Sequence, residues 1–277
     1  MKIVEVIIPV YKELPDKSEL MSFKQCLNVL GRHPIVLVCP HKMILSEYEK
    51  IANDYNVDIR GERFDDYFFS SIEGYNRLML SKEFYSRFKE SKYILIYQLD
   101  AWVFKDELNY WCNEDHDYIG APWFENYGSE EEGMKLTNEI GNGGFSLRKV
   151  QFCIDVLSWS YPILTPRGII RRYRMRHNLL KTLIVFPNLF IQFLGFKNNL
   201  QYYILDSMLN EDVFWSLFKN DSWKNSSIPD AEKAIKFSIE KSPKYLSGLT
   251  GDELPFGCHA WERYAKDFWK SHMEDEY

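Results

Sequence analysis

The chain has 277 residues, 45% hydrophobic and 27% charged. This composition excludes a disordered chain and is enough for one sizeable core. A net charge of −6 argues against a globally basic nucleic-acid binder, and no apolar run reaches the ~20 residues of a spanning helix. The opening MKIVEVIIPVYKELP lacks the architecture of a signal peptide. Cys26, Cys39, Cys112, Cys153 and Cys258 are scattered without a CxxC pattern, as expected of reduced thiols in a cytoplasmic protein. The aromatic content of 16% suits a wide aromatic-lined cleft as well as a core.

In chain order, Ile3 to Val10 is an apolar run that reads as a buried strand. Leu20, Phe23, Leu27 and Leu30 recur at helical spacing, and PIVLVC, from Pro34 to Cys39, reads as a second buried strand. Ser46 with Glu49 forms a capping-box pattern ahead of a helical face of Tyr48, Ile51, Ala52 and Tyr55. Ser70 with Glu73 repeats that pattern and predicts a helix through about Lys89. YILIY, Tyr93 to Tyr97, is a third strand, and Tyr118 to Trp123 a further short one. GNGGFSLR, from Gly141 to Arg148, reads as a glycine turn running into a strand or helix start. Asn210 to Phe218 reads as helical. Ala260 to His272 reads as an amphipathic helix with Trp261, Ala265, Phe268 and Trp269 on its core face. Repeated βα alternation predicts a mostly parallel sheet with helices on both faces, and ligands there bind beyond the carboxyl ends of strands.

That rule directs attention to Pro9-Val10-Tyr11 and Gln98-Leu99-Asp100. A carboxylate at Asp100, among apolar residues, calls for a cation, a metal or several donors, unless it caps a turn. Gly141, Gly143 and Gly144 allow close backbone approach, and Asn142 adds an amide that donates and accepts. Glu211 and Asp212 point about 100° apart on a helix, so one can face a cleft and take a proton, or both can be a solvated helix start. His259, in PFGCHAW, is a ligand for Mn²⁺ or Zn²⁺ or else a structural histidine. No P-loop or GxSxG pattern is present.

IIPVYKE, YNRLMLSKEFY, YILIYQLDAWVF, DYIGAPW, GNGGFSLR, NEDVFW and PFGCHAW follow one another in that order, over residues 3–160 and 203–265. In this the chain resembles a bacterial family that carries a domain of unknown function and is similar to nucleotide-sugar transferases of the GT-A fold. The resemblance implies an α/β, GT-A-like domain spanning 1–277. Its mostly parallel central sheet is flanked by helices, and its C-terminal half carries a helical insertion. Residues 1–120 would form the nucleotide-sugar-binding half. Residues 121–277 would form the acceptor half, with the insertion at about 167–201.

The resemblance also implies roles. Pro9 and Tyr11 would hold the nucleotide base. Gln98 would contact the donor, standing where relatives have the first acid of a DxD motif. Asn142, Gly143 and Gly144 would line the donor pocket. Asp100 and His259 would hold Mn²⁺ or Mg²⁺, Asp212 would be the catalytic base and Glu211 would position sugar hydroxyls. The implied reaction is sugar transfer, with inversion, from a nucleotide sugar (a UDP-sugar first) to a glycan or lipid-linked acceptor in bacterial surface-polysaccharide synthesis. No nucleic acid partner is expected. A carbohydrate-binding protein on a decayed transferase scaffold, favoured by Gln98, and a nucleotidyltransferase are the alternatives.

Residues 167–201 differ from the rest. Arg167, Arg171, Arg172, Arg174, Arg176 and Lys181 are uninterrupted by an acid and are followed by an apolar, aromatic stretch broken at Pro187 and Gly195. That pattern suits either peripheral contact with the inner face of the cytoplasmic membrane or an insertion packed on the core.

Overall fold

The structure is a computed structural model and describes residues 2–158, 190–192, 194–196, 198–207, 210–216 and 226–273. Arg167, Arg171, Arg172, Arg174, Arg176 and Lys181 lie outside the described residues, as does most of the expected helical insertion.

A mixed α/β architecture is built on a six-stranded sheet in the order β3-β2-β1-β4-β9-β6. β1 (Lys2–Pro9), β2 (Ile35–Pro40) and β4 (Ser91–Tyr97) are the predicted buried strands. β3 (Ile59–Phe64) completes the parallel set beside β2, with Leu37 opposite Gly61. Val6 is opposite both Ile35 and Leu95, so β1 is central and buried on both faces. β9 (Phe145–Lys149) runs against β4, with Leu95 opposite Leu147, and β6 (Tyr118–Ile119) runs against β9. The mostly parallel sheet flanked by helices is as expected.

α1 (Lys17–Leu30) packs Phe23, Cys26, Leu27 and Leu30 into the core and starts at a capping box of Asp16 and Glu19. α2 (Ser46–Asp54) lacks the expected box, because Ser46 is already helical and Leu45 precedes it without a side-chain cap. The long helix expected after Ser70 is two helices. Ser71, not Ser70, caps α3 (Ile72–Met79), and Ser81 caps α4 (Lys82–Ser86). A hydroxyl at Ser81 that accepts from the Phe84 amide offers the backbone a fresh start, which ends the first helix.

Three short strands form a second sheet. β5 (Trp102–Val103) pairs antiparallel with β11 (Gly257–Cys258), and β11 pairs parallel with β10 (Ser238–Ile239). β7 (Ala121–Phe124) and β8 (Leu136–Gly141) make a two-stranded ribbon. The segment Tyr118 to Trp123 is therefore not one strand. Gly120 divides β6 from β7, and a Cβ there would stand 1.7 Å from the carbonyl oxygen of Gly141. The amphipathic helix expected over 260–272 shrinks to Lys266–Lys270, since Ala260 and Ala265 take positive φ of 50° and 56°. Trp261 and Trp269 are nonetheless buried, in a separate cluster with Trp102 and Cys258, while Ala265 is exposed. All five cysteines are free and buried.

Candidate active site

The topology itself assembles a cleft. β9 begins where β4 ends, so the turn before it lies beside Gln98, whose N–H donates to the Gly144 carbonyl at 2.8 Å. Asp100 stands two residues before β5 and His259 directly follows β11. The pairing of Trp102 with Cys258 therefore brings the two side chains together. Glu240 follows β10 and reaches His259 by the same logic, through the pairing of Ile239 with Cys258.

A cavity of about 720 Å³ opens at the carboxyl ends of β1 and β4. Pro9, Tyr11, Gln98, Asp100, Gly143, Gly144, Glu211, Asp212 and His259 all line it. Of the expected site residues, Asn142 is the exception. It is buried at φ 71°, and its Oδ1 accepts from the Gly144 N–H at 3.2 Å, so its amide shapes the turn and does not line the cavity. Tyr11 stands exposed at the lip.

The Nε2 of His259 lies 3.1 Å from Asp100 Oδ1 and 3.3 Å from Gln98 Oε1, and its Nδ1 is 3.5 Å from Glu240 Oε1. Burial disfavours the imidazolium, but Asp100 and Glu240 overcome it and raise His259 to about 10. In return, and against its own burial, Asp100 is held below the usual carboxylate range by His259. Gly144 must be small here, because a Cβ would stand 2.0 Å from His259 Nε2. One carboxylate oxygen and one amide oxygen thus lie beside the same imidazole nitrogen at the cavity wall. That donor set suits Mn²⁺ or Mg²⁺ completed by ligand oxygens and water. Among the described residues no group of three or more His, Cys, Asp or Glu side chains is clustered to hold a metal. The imidazole would have to release its proton to ligate.

Glu211 and Asp212 open the helix Glu211–Ser216 and have different surroundings. Glu211 is buried, and its Oε1 pairs with Arg148 Nη2 at 2.9 Å. Its Oε2 is buried without a hydrogen-bond partner. Burial pushes Glu211 up, opposed by Arg148. The carboxylate expected to position sugar hydroxyls is thus half committed to an ion pair. Among the described residues no basic side chain pairs with Asp212. It accepts from the backbone N–H of Val213 at 2.8 Å and from that of Asn142, and burial raises it above the ordinary aspartate value.

Arg148 is the residue that sequence reasoning missed. It is wholly buried and donates to Tyr85 Oη, Ser146 Oγ, the Gly143 carbonyl and Glu211. The alternation Phe145-Ser146-Leu147-Arg148 carried a hint, since it puts Ser146 and Arg148 on one face of the strand. Asn76 was missed as well. It accepts from the Glu211 N–H and donates to Asn210 Oδ1, tying α3 to the start of the helix Glu211–Ser216.

A family model described as "Protein of unknown function (DUF5672)" matches residues 58–259. No curated protein matches the chain. Among solved structures, the chain is similar to core-mannan synthase A (CmsA/Ktr4) from Aspergillus fumigatus in an Mn/GDP form. The TM-score is 0.41 and the identity 9%, covering 55% of this chain and 60% of that one. It is also similar to the apo form of the glycosyltransferase GlyE of Streptococcus pneumoniae TIGR4, with a TM-score of 0.48 and 10% identity, covering 99% of this chain and 61% of that one. The chain thus spans about three fifths of the length of either. Likeness at this distance assigns no chemistry to the cleft.

Proposed function

We propose that this chain, which belongs to the DUF5672 family of proteins of unknown function, is a metal-dependent glycosyltransferase that uses a nucleotide-sugar donor. One observation carries the reading. Asp100, His259 and Asp212, far apart in sequence, line one cleft beyond the carboxyl ends of β1 and β4. The volume of about 720 Å³ suits a ligand of nucleotide-sugar size.

In this reading Pro9 and Tyr11 border the base, and Gln98 with the Gly143–Gly144 backbone borders the diphosphate and sugar. Asp100 and His259, with Gln98 beside them, would hold Mn²⁺ or Mg²⁺. The bound cation supplies counter-charge for the departing diphosphate. Asp212, with its raised pKa and no ion-pair partner among the described residues, takes the proton of the acceptor hydroxyl. An attack from that side displaces the nucleoside diphosphate directly and inverts the anomeric centre. Glu211 orients the sugar through the oxygen that Arg148 leaves free. Residues 1–120 serve the donor, joined there by Gly143, Gly144, Glu211 and His259, and the rest of 121–277 serves the acceptor, a glycan or lipid-linked sugar of surface-polysaccharide synthesis. The basic stretch from Arg167 to Lys181 holds the protein at the inner face of the cytoplasmic membrane.

A thermal-shift screen of UDP- and GDP-sugars with and without Mn²⁺ tests the donor reading, since a ligand bound only by the folded chain raises its midpoint. The expected result is a metal-dependent rise with at least one nucleotide sugar, followed by metal-dependent release of its nucleoside diphosphate. Gln98 favours a second reading, a sugar-binding protein without turnover, which predicts stabilisation by sugars alone and no release.

A further inference from the structure

Beside the large cavity lies a smaller one of about 260 Å³, and Asp212 and Asn210 line both. Its walls are Trp123, Tyr127 and Tyr264, with Glu240 and Lys241 as the polar groups. The wall is built with care. The Trp123 ring lies against Gly141, where a Cβ would come within 1.7 Å of it. Trp123 and Tyr127 meet edge to face with ring centroids 5.1 Å apart. Asn126 and Tyr127 both take positive φ, 52° and 57°. Two consecutive non-glycine residues in that region are strained and persist only where neighbours fix them. Lys241 fixes this pair, since its ammonium donates to the Tyr127 carbonyl and stands 5.2 Å from the Tyr264 ring.

We propose that this second cavity is the acceptor subsite and that it takes a pyranose ring of a glycan. The proposal rests on the larger cavity being the donor site. A pyranose has an apolar face and a rim of hydroxyls. The aromatic wall matches the face, and Glu240, Lys241 and Asp212 match the rim. An acyl chain would instead leave those three charged groups facing hydrocarbon. Because Asp212 lines both cavities, it stands between the two substrates. The acceptor oxygen bonds to the anomeric carbon as its proton passes to the Asp212 carboxylate. The bond from that carbon to the diphosphate oxygen breaks, and its electron pair leaves with the nucleoside diphosphate.

Saturation-transfer NMR on the full chain tests this, with methyl α-D-glucopyranoside and methyl β-D-galactopyranoside as probes. Saturation should reach at least one glycoside, and saturating UDP with Mn²⁺ should not displace it. Tyr127→Ala and Lys241→Met should each weaken glycoside binding about three- to tenfold, the range of one aromatic or charged contact. Trp123→Ala should abolish it, and because Trp123 is buried and can also serve folding, the other two variants decide. No saturation of either glycoside overturns the proposal, as does a signal that survives both variants or is displaced by UDP. If UDP itself fails to bind while glycoside binding still depends on Tyr127 and Lys241, the sugar site stands and the donor reading is what fails.

Discussion

Asp212 and Arg148 show how burial gives neighbouring charges different work. Among the described residues Asp212 has backbone donors alone, and burial raises its pKa, which leaves it able to take a proton. Asp212→Asn should lower kcat by about 10²–10⁴-fold, with little change in donor KM. Because the proposed base Asp212 would have to be ionised to act, activity should rise with pH through a value above the ordinary aspartate 3.8, and the variant should lose that limb. A steady-state pH profile on the identified donor measures both. Arg148 instead supports the site from beneath. Arg148→Met strands the Glu211 carboxylate in a buried setting, which should cost about 3–5 kcal/mol in urea unfolding. The double variant Arg148→Met, Glu211→Leu should recover most of that, since removing both partners leaves no buried charge. A single variant as stable as wild type would mean that water reaches the pair.

At the scale of elements, β1, β2 and β4 were legible because central parallel strands are buried on both faces and read as unbroken apolar runs. IRGERF was not, because β3 is an edge strand and owes its place to pairing with β2 and to Arg60. The Arg60 guanidinium donates to Glu5 on β1 at 3.1 Å, Lys2 donates to the same oxygen at 2.8 Å, and Ser91 on β4 donates to Glu5 Oε2 at 2.6 Å. Such long-range pairing leaves no periodic trace. The cleft was legible as a set of strand ends, so Asp100 and Gln98 could be found from position alone. The aromatic wall of Trp123, Tyr127 and Tyr264 could not, because it depends on the β7–β8 ribbon and on two positive φ values. Glu5 yields a prediction at this scale. Burial alone would raise its pKa, but its bonds to Lys2, Ser91 and Arg60 outweigh that and hold it below 4.5. A carboxylate lowered on folding stabilises fully above its unfolded pKa and loses that stability as pH falls through the folded one. The urea midpoint should therefore fall as pH drops below about 4.5. Glu5→Gln should be less stable at neutral pH and show a flatter acid limb.

The whole molecule carries 40 acidic and 34 basic residues, yet six of the basic ones fall between Arg167 and Lys181 without an acid among them. A uniform surface of net charge −6 would be repelled by an anionic bilayer, so only such segregation lets an acidic protein approach one. Among the described residues no helix is long and apolar enough to cross a membrane. Just after the basic stretch, Phe190, Leu194 and Phe196 are 58%, 73% and 62% exposed. Exposed aromatic and aliphatic side chains following a basic stretch suit shallow insertion at the headgroup boundary. Each basic residue near an anionic leaflet contributes about 1 kcal/mol, fading within a Debye length, so the attraction should be strong at low salt and weak at high salt. The full chain should co-sediment with phosphatidylserine-containing vesicles at low ionic strength and not with pure phosphatidylcholine. Binding should fall steeply with added salt and with Arg171→Glu, Arg172→Glu and Arg174→Glu combined. Leu194→Ser with Phe196→Ser should weaken the salt-resistant remainder, which is the apolar share. Wild-type chain that ignores phosphatidylserine vesicles at low salt removes the membrane from the account, and the stretch then belongs with the protein's own carboxylates.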